Sequence, residues 1–299
     1  MIYKLKSPTK DYIWGGNKLR DYGKLTQSDR IAESWELSFY DGSESVISYG
    51  EHDGQLLKDV VSEKELGTNI SRFPFFPILI KFIDANDNLS IQVHPNDEYG
   101  LKYENSFGKT EMWYVVEAST GAMLHIGFNK DTTKEEIKTR IEDNTLYDIM
   151  NHIEVKKGDC FFIPSGTIHA IGKGVVVCEI QENSNLTYRI YDYGRVDKNG
   201  KSRELHIDKA LNVLNLKKSE IHNIQTKILA DCSYFKVIKE NNLNQLVTDE
   251  KSFAAITFLS GEGVINDIPY KKGDTFFISA DSDVTILGDN EVIISKMPD

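Results

Sequence analysis

Short runs in which apolar or β-branched residues alternate with polar ones recur along most of the chain. They fall at Ser45–Ser48, Ile78–Ile83, Leu89–Val93, Met112–Val116, Ala122–Ile126, Cys160–Ile163, Val175–Ile180, Thr187–Tyr191, Phe253–Leu259, Thr275–Ile278 and Val292–Ser295. Runs of this length, separated by Gly, Pro, Asn and Asp, predict strands of a mostly antiparallel fold. Helical signals are fewer. Leu56–Val61 has a short amphipathic pattern, Thr133-x-x-Glu136 predicts a capping box opening a helix toward Met150, and Asp208 precedes the apolar spacing Ala210, Leu211, Val213, Leu214. The expected fold class is mainly β, with peripheral helices.

One stretch occurs twice. Val155–Ile163 reads VKKGDCFFI and Tyr270–Ile278 reads YKKGDTFFI; both end in a turn followed by another strand, and the strand-loop-strand segment Phe253–Gly263 precedes the second copy. The echo predicts two related β-barrels, with a boundary in the polar stretch Lys217–Thr226 and therefore domains at 1–220 and 221–299. Six residues past Ile163 stands His169, whereas six past Ile278 stands Val284. The first barrel is expected to be the working one, and the smaller C-terminal barrel to be degenerate and without metal.

At 299 residues the chain is long enough for two domains, and 40% hydrophobic with 27% charged residues is a globular composition that excludes a disordered chain, a collagen or a disulfide mini-protein. The net charge is −11 and no basic tract is present, which argues against a nucleic-acid or anionic-membrane partner. An anionic substrate must then be held by a few local cations. The apolar stretch Phe73–Ile80 contains Pro74 and Pro77 and is closed by Arg72 and Lys81, far short of the roughly 20 residues of a membrane span. The opening MIYKLKSPTKDYIWGG lacks the apolar core of a signal peptide, so a cytoplasmic protein is expected. Cys160, Cys178 and Cys232 are odd in number and lack paired spacing, as expected for reduced thiols.

The candidate chemistry lies in the first half. In Leu89–His94 alternation projects Ser90, Gln92 and His94 from one strand face, though a Gln and a His on an exposed face are also ordinary. Gly158-x5-Pro164-x-Gly166-x2-His169 ends an apolar strand in a tight turn and sets His169 at the start of the next strand. This spacing resembles the second signature of the cupin superfamily, a jelly-roll, double-stranded β-helix barrel; the Asn that often follows four residues after the His is Lys173 here. Glu111 opens a strand whose remaining residues are apolar, an expensive place for an unpaired carboxylate. Two imidazoles, a carboxylate and an amide oxygen suit Zn²⁺, and Fe²⁺ or Mn²⁺ also accept such ligands. Gln92 argues against the usual non-haem iron oxygenase site. His125, His152, His206 and His222 lack ligand-like spacing and read as structural or exposed.

Trp14-Gly-Gly16, Ile31–Glu36, Gln92-Val-His-Pro-Asn-Asp97, Gly108-Lys-Thr-Glu-Met-Trp113 and Glu179–Asp192 together resemble the type I mannose-6-phosphate isomerases in order and spacing, from about residue 3 to residue 210. The chain resembles the short bacterial form, too short for the additional helical domain of longer members. Asn96-Asp97 departs from the Pro-Asp of many members, outside the ligands. The resemblance implies a zinc-dependent aldose-ketose isomerase that interconverts mannose 6-phosphate and fructose 6-phosphate through a cis-enediol, with one Zn²⁺ held by Gln92, His94, Glu111 and His169. It implies catalytic cations at Lys109 and Arg189, and substrate contacts from Ser90, Lys109 and Arg189. Lys109 can also be read as a surface lysine or, desolvated beside a dication, as a base of depressed pKa; Arg189 can be read as paired with Asp192. Trp14, Trp35 and Glu36 read as packing residues first. The expected partner is a small sugar phosphate, and the chain acts as a monomer or weak homodimer. The rival class is a non-catalytic, metal-binding sugar sensor or storage cupin.

Overall fold

The computed structural model describes residues 1–196 and 199–299, and antiparallel strands with a few short peripheral helices make up nearly all of its regular structure. The alternating runs form strands, among them Ile78–Ala85, Ile91–Val93, Glu111–Ala118, Met123–Phe128, Cys160–Ile163, Val175–Glu182 and Tyr188–Tyr191. Ser45–Ser48 contracts to the pair Val46–Ile47. The helix after Thr133 is shorter than its pattern suggests. Thr133 Oγ1 does accept the Glu136 N–H at 3.1 Å, but the helix spans only Lys134–Glu142 before Asn144 enters the left-handed region, and Met150–Glu154 is a strand. The Glu136 carboxylate binds Lys130 and Arg140 instead of closing the box; a complete capping box occurs at Ser62 and Glu65.

Three layers stack. A six-stranded sheet runs in the order Cys160–Ile163, Glu111–Ala118, Val175–Glu182, Ile78–Ala85, Glu33–Leu37, Thr9–Lys10. On one side its Ile83, Trp113 and Val177 pack with Leu124, Ile126 and Ile171 of a five-stranded sheet ordered Tyr188–Tyr191, Ile91–Val93, His169–Ile171, Met123–Phe128, Met150–Glu154. On its other side Phe82, Tyr114 and Cys178 meet Phe253, Phe277 and Ile293 of a ten-stranded sheet that holds the C-terminal strands. A sheet covered on both faces needs apolar residues at successive positions, as in Ile78–Ala85, where all eight residues are buried.

The echo is structural. In each copy the turn aspartate accepts a lysine N–H two residues before the glycine, Lys156 to Asp159 at 2.8 Å and Lys271 to Asp274 at 2.9 Å, and the glycine between them takes a positive φ, +94° at Gly158 and +87° at Gly273. Each following strand pairs in the same register, with Ile163 opposite Glu111 and Ile278 opposite Ala254. The second copy therefore carries alanine where the first has its carboxylate, and Val284 is buried in an apolar core. We propose a division at 1–220 and 221–299, crossed by two early strands: Val46–Ile47 pairs with Ile2–Lys6, which pairs with Thr275–Ile278 in the ten-stranded sheet. Beside it, fully buried Glu36 accepts from Lys24 Nζ (2.6 Å), Ser34 (2.6 Å), Ser7 (2.8 Å) and Thr275 (3.1 Å), and Lys24 also donates to the Gly273 carbonyl at 2.7 Å. Among the described residues no helix is long and apolar enough to cross a membrane. The three cysteines are unpaired, and burial pushes the Cys160 thiol up to about 12.

Candidate active site

Strand register assembles residues that lie far apart in sequence. On the five-stranded sheet Gln92 stands opposite His169 on one side and Arg189 on the other, so three predicted site residues form one row. His94 follows immediately after this strand, where its carbonyl accepts the Gly166 N–H at 2.8 Å and is tied to the turn that precedes His169. Glu111 comes from the facing sheet. The loop before it is drawn toward His94 because Lys109 N donates to the Pro95 carbonyl (3.0 Å) and Gly108 N to Asp97 Oδ1 (2.8 Å). Only glycine fits at 108, since a Cβ there would lie 2.4 Å from the Asn96 carbonyl carbon.

Both imidazoles turn Nε2 toward Glu111. His94 Nδ1 and His169 Nδ1 donate to the carbonyls of Leu186 and Thr167, each at 2.9 Å. A carbonyl only accepts, so each Nδ1 carries the proton and each Nε2 presents a lone pair. His94 Nε2 lies 3.7 Å and His169 Nε2 3.4 Å from the two Glu111 oxygens, and the three residues offer ligand atoms within 4.8 Å of one another. Burial holds both imidazoles neutral, His94 well below the usual range and His169 at about 4. Gln92 adjoins this cluster, with Nε2 3.3 Å from His169 Nε2 and Oε1 3.3 Å from Ser90 Oγ. A half-turn of the amide exchanges its two ends and presents the oxygen to the cluster.

A ring of buried charge surrounds the cluster. Lys109 Nζ sits 2.7 Å from Glu111 Oε2 and 3.4 Å from Glu179 Oε1, and Lys81 Nζ lies 3.6 Å from both Glu179 and Glu33. Indole N–H groups hold the outer carboxylates: Trp113 donates to Glu179 at 2.9 Å and Trp35 to Glu33 at 2.7 Å. Burial lowers the Lys109 pKa, but Glu111 and Glu179 outweigh it and hold the ammonium above the usual lysine range. Burial raises Glu179, yet Lys109 and Lys81 bring it down to about 2, whereas Glu111 is raised by burial to about 8. Three carboxylates against two ammoniums leave one net negative charge. His94 Nε2 and Glu111 Oε1 are buried without hydrogen-bond partners. Orphaned nitrogen and oxygen lone pairs beside an uncompensated carboxylate fit a divalent cation of the zinc type, which would satisfy both and keep Glu111 ionised.

The cluster adjoins a cavity of about 280 Å³ lined by Ser90, Gln92, Lys109 and Arg189 and by residues that spacing did not single out as polar site groups, including Lys81, Glu179, Tyr12 and Arg203. Trp14, read as a packing residue, lines it too. Arg189 does not pair with Asp192, which binds Arg195 and Arg203 instead; its Nη1 donates to the Glu204 carbonyl at 2.9 Å, and its Nε is buried without a partner. Lys81 and Glu179 each interrupt an otherwise apolar run, Ile78–Ile83 and Val175–Ile180. That interruption was the available signal. His206 accepts the Arg189 backbone N–H at 3.2 Å, and His222 is exposed.

Residues 2–140 match the family described as phosphomannose isomerase type I, catalytic domain. Mannose-6-phosphate isomerase ManA of Bacillus subtilis (strain 168) is 38% identical over 280 residues, covering 89% of each chain. The crystal structure of the mannose 6-phosphate isomerase from Bacillus subtilis superposes with a TM-score of 0.86 at 32% identity, over 98% of this chain and 99% of that one. A mannose 6-phosphate isomerase solved with zinc and yttrium shares the fold at 16% identity, with a TM-score of 0.77 over 99% of each chain. By the extent and identity of these matches, the chain belongs to the type I mannose-6-phosphate isomerase family.

Proposed function

We propose that this chain interconverts mannose 6-phosphate and fructose 6-phosphate with one Zn²⁺ held by His94, Glu111, His169 and the Gln92 amide oxygen, as a cytoplasmic enzyme acting alone or as a weak homodimer. The carrying observation is the convergence of the unpartnered buried atoms of His94 and Glu111 with His169, beside Lys109, whose side chain also lines the adjoining cavity. Zn²⁺ in that position supplies Lewis-acid stabilisation to sugar oxygens.

In the reaction the C2 proton leaves as O1 gains one, giving a cis-enediol; C1 then gains a proton as O2 loses one. Negative charge on the O1/O2 pair is greatest between these states, so fixed cations are the main requirement. Lys109 meets it as a permanently charged donor, because its carboxylate neighbours hold it above the usual lysine range; this counts against a neutral-amine base at this position. Glu179, paired with Lys109 and Lys81 and held by Trp113, fixes where that ammonium sits. Arg189 is the second catalytic cation, with an Nε free of other partners. Ser90, Lys109 and Arg189 supply donors to the sugar and its phosphate from the cavity wall.

The test is fructose 6-phosphate formation from mannose 6-phosphate, measured before chelation, after it, and after zinc is restored. Loss and recovery of turnover are expected. A fully metallated protein that binds the sugar phosphate without converting it would replace this reading with that of a sensor or storage cupin.

A further inference from the structure

His125 and His152 lie 27 positions apart in sequence, a separation that hides their pairing: they are direct cross-strand partners in the antiparallel pair Met123–Phe128 and Met150–Glu154, with Nδ1 atoms 2.8 Å apart. Alternation places them on the sheet face turned away from Ile126, whose partner is His169. From this geometry we infer a second transition-metal site, in which the two Nδ1 atoms hold a divalent cation of the Cu²⁺, Ni²⁺ or Zn²⁺ class.

Ligand nitrogens at the usual 2.0–2.1 Å from a tetrahedral or square cation lie about 2.9–3.4 Å from each other, so the rings need to part by no more than about 0.6 Å. The pair now shares a single proton between two lone pairs. A cation displaces that proton to the unprotonated Nε2 of the same ring, so that each ring then carries its hydrogen on Nε2. The acceptor this requires is already in place, because His125 Nε2 is 3.0 Å from the Tyr147 hydroxyl. An oxygen partner on the far nitrogen fixes the tautomer of a metal-bound histidine. His125 is only 2% exposed, whereas His152 is exposed, and the Tyr147 ring lies tilted against His152 with ring centroids 4.2 Å apart. The site therefore has one rigid ligand and one that faces solvent, where an ion can enter. Burial holds His125 at about 4, so its nitrogens are free of excess protons at neutral pH. Without a carboxylate, it binds more weakly than the cluster at Glu111 and completes its shell with water; imidazole pairs favour Cu²⁺ most strongly. The inference does not depend on the sugar-phosphate reading.

Cu²⁺ titrated into the zinc-loaded protein should give, with the zinc retained, one further bound equivalent whose EPR spectrum carries hyperfine structure from two imidazole nitrogens. His152→Ala changes an exposed side chain and should abolish that equivalent. Tyr147→Phe should weaken it by about 10-fold or more, as loss of an outer-shell partner does. Retention of the second equivalent by His152→Ala, its absence from the zinc-retaining parent, or unchanged affinity in Tyr147→Phe would each overturn the assignment.

Discussion

Replacing Glu111 by glutamine should change stability in opposite directions with and without the metal. The carboxylate is fully buried and raised by burial to about 8. A carboxyl whose folded pKa exceeds its unfolded value stabilises the fold fully only below the unfolded pKa, and that contribution is lost as pH rises toward the folded one. In chelated protein at pH 7, the rise from 4.5 to about 8 costs about 3 kcal/mol. The amide is neutral and escapes that cost. Chelated Glu111→Gln should therefore melt several degrees above chelated wild type at pH 7, since each kcal/mol is worth about 2–4 °C in a chain of this order of size. The advantage should fall below about 1 kcal/mol at pH 5, where the folded carboxyl is protonated and the unfolded one only partly so.

Zinc should reverse the order. Ligand at about 1,000 times its dissociation constant adds about 4 kcal/mol to the native state, and the variant forfeits most of this with its only anionic ligand. Differential scanning calorimetry of both proteins, chelated and zinc-saturated, at pH 5 and pH 7 gives all eight melting temperatures. A chelated variant that melts below chelated wild type, together with an undiminished zinc-induced shift, would refute the assignment of Glu111 as a metal ligand in a cation-deficient pocket.

Lys109→Met should lower kcat by about 10²–10³, with a smaller effect on KM; Lys109→Arg should not restore it, because the guanidinium is larger and planar, and steady-state kinetics on metal-loaded protein decide the point. Lys24→Met leaves buried Glu36 without its cation and should cost about 3–5 kcal/mol in chemical denaturation, and the double variant with Glu36→Gln should recover part of that loss. Gly15→Ala puts a Cβ 2.5 Å from the Ala32 Cα; a loss of about 1–3 kcal/mol is expected by denaturation, with a raised KM because Trp14 in the cavity wall must move.

Alternating strands were legible because their period survives burial on one face, and the repeated Gly-Asp turn was legible because each copy needs the same aspartate to accept the lysine N–H. Glu33–Leu37 was not, since all five of its residues are buried, two glutamates among them, and such a strand shows no alternation of polarity. The same cause hid the outer part of the site. Local spacing places Gln92 and His94 on one strand face and Glu111 and His169 at strand starts, but Lys81 and Glu179 acquire their significance only from the sheets that bring them beside Lys109 and Glu111. Cross-strand register also joins His125 to His152, and no short motif encodes it.

The strand Ile2–Lys6 bonds to Thr275–Ile278, so the ribosome releases the first of these partners long before the second. Until then the nascent chain carries an unpaired edge with Tyr3 and Leu5 uncovered, a natural target for a chaperone. Closing so long a loop also places the docking of Ile2–Lys6 late in folding, after the sequence-local pairs among the C-terminal strands have formed.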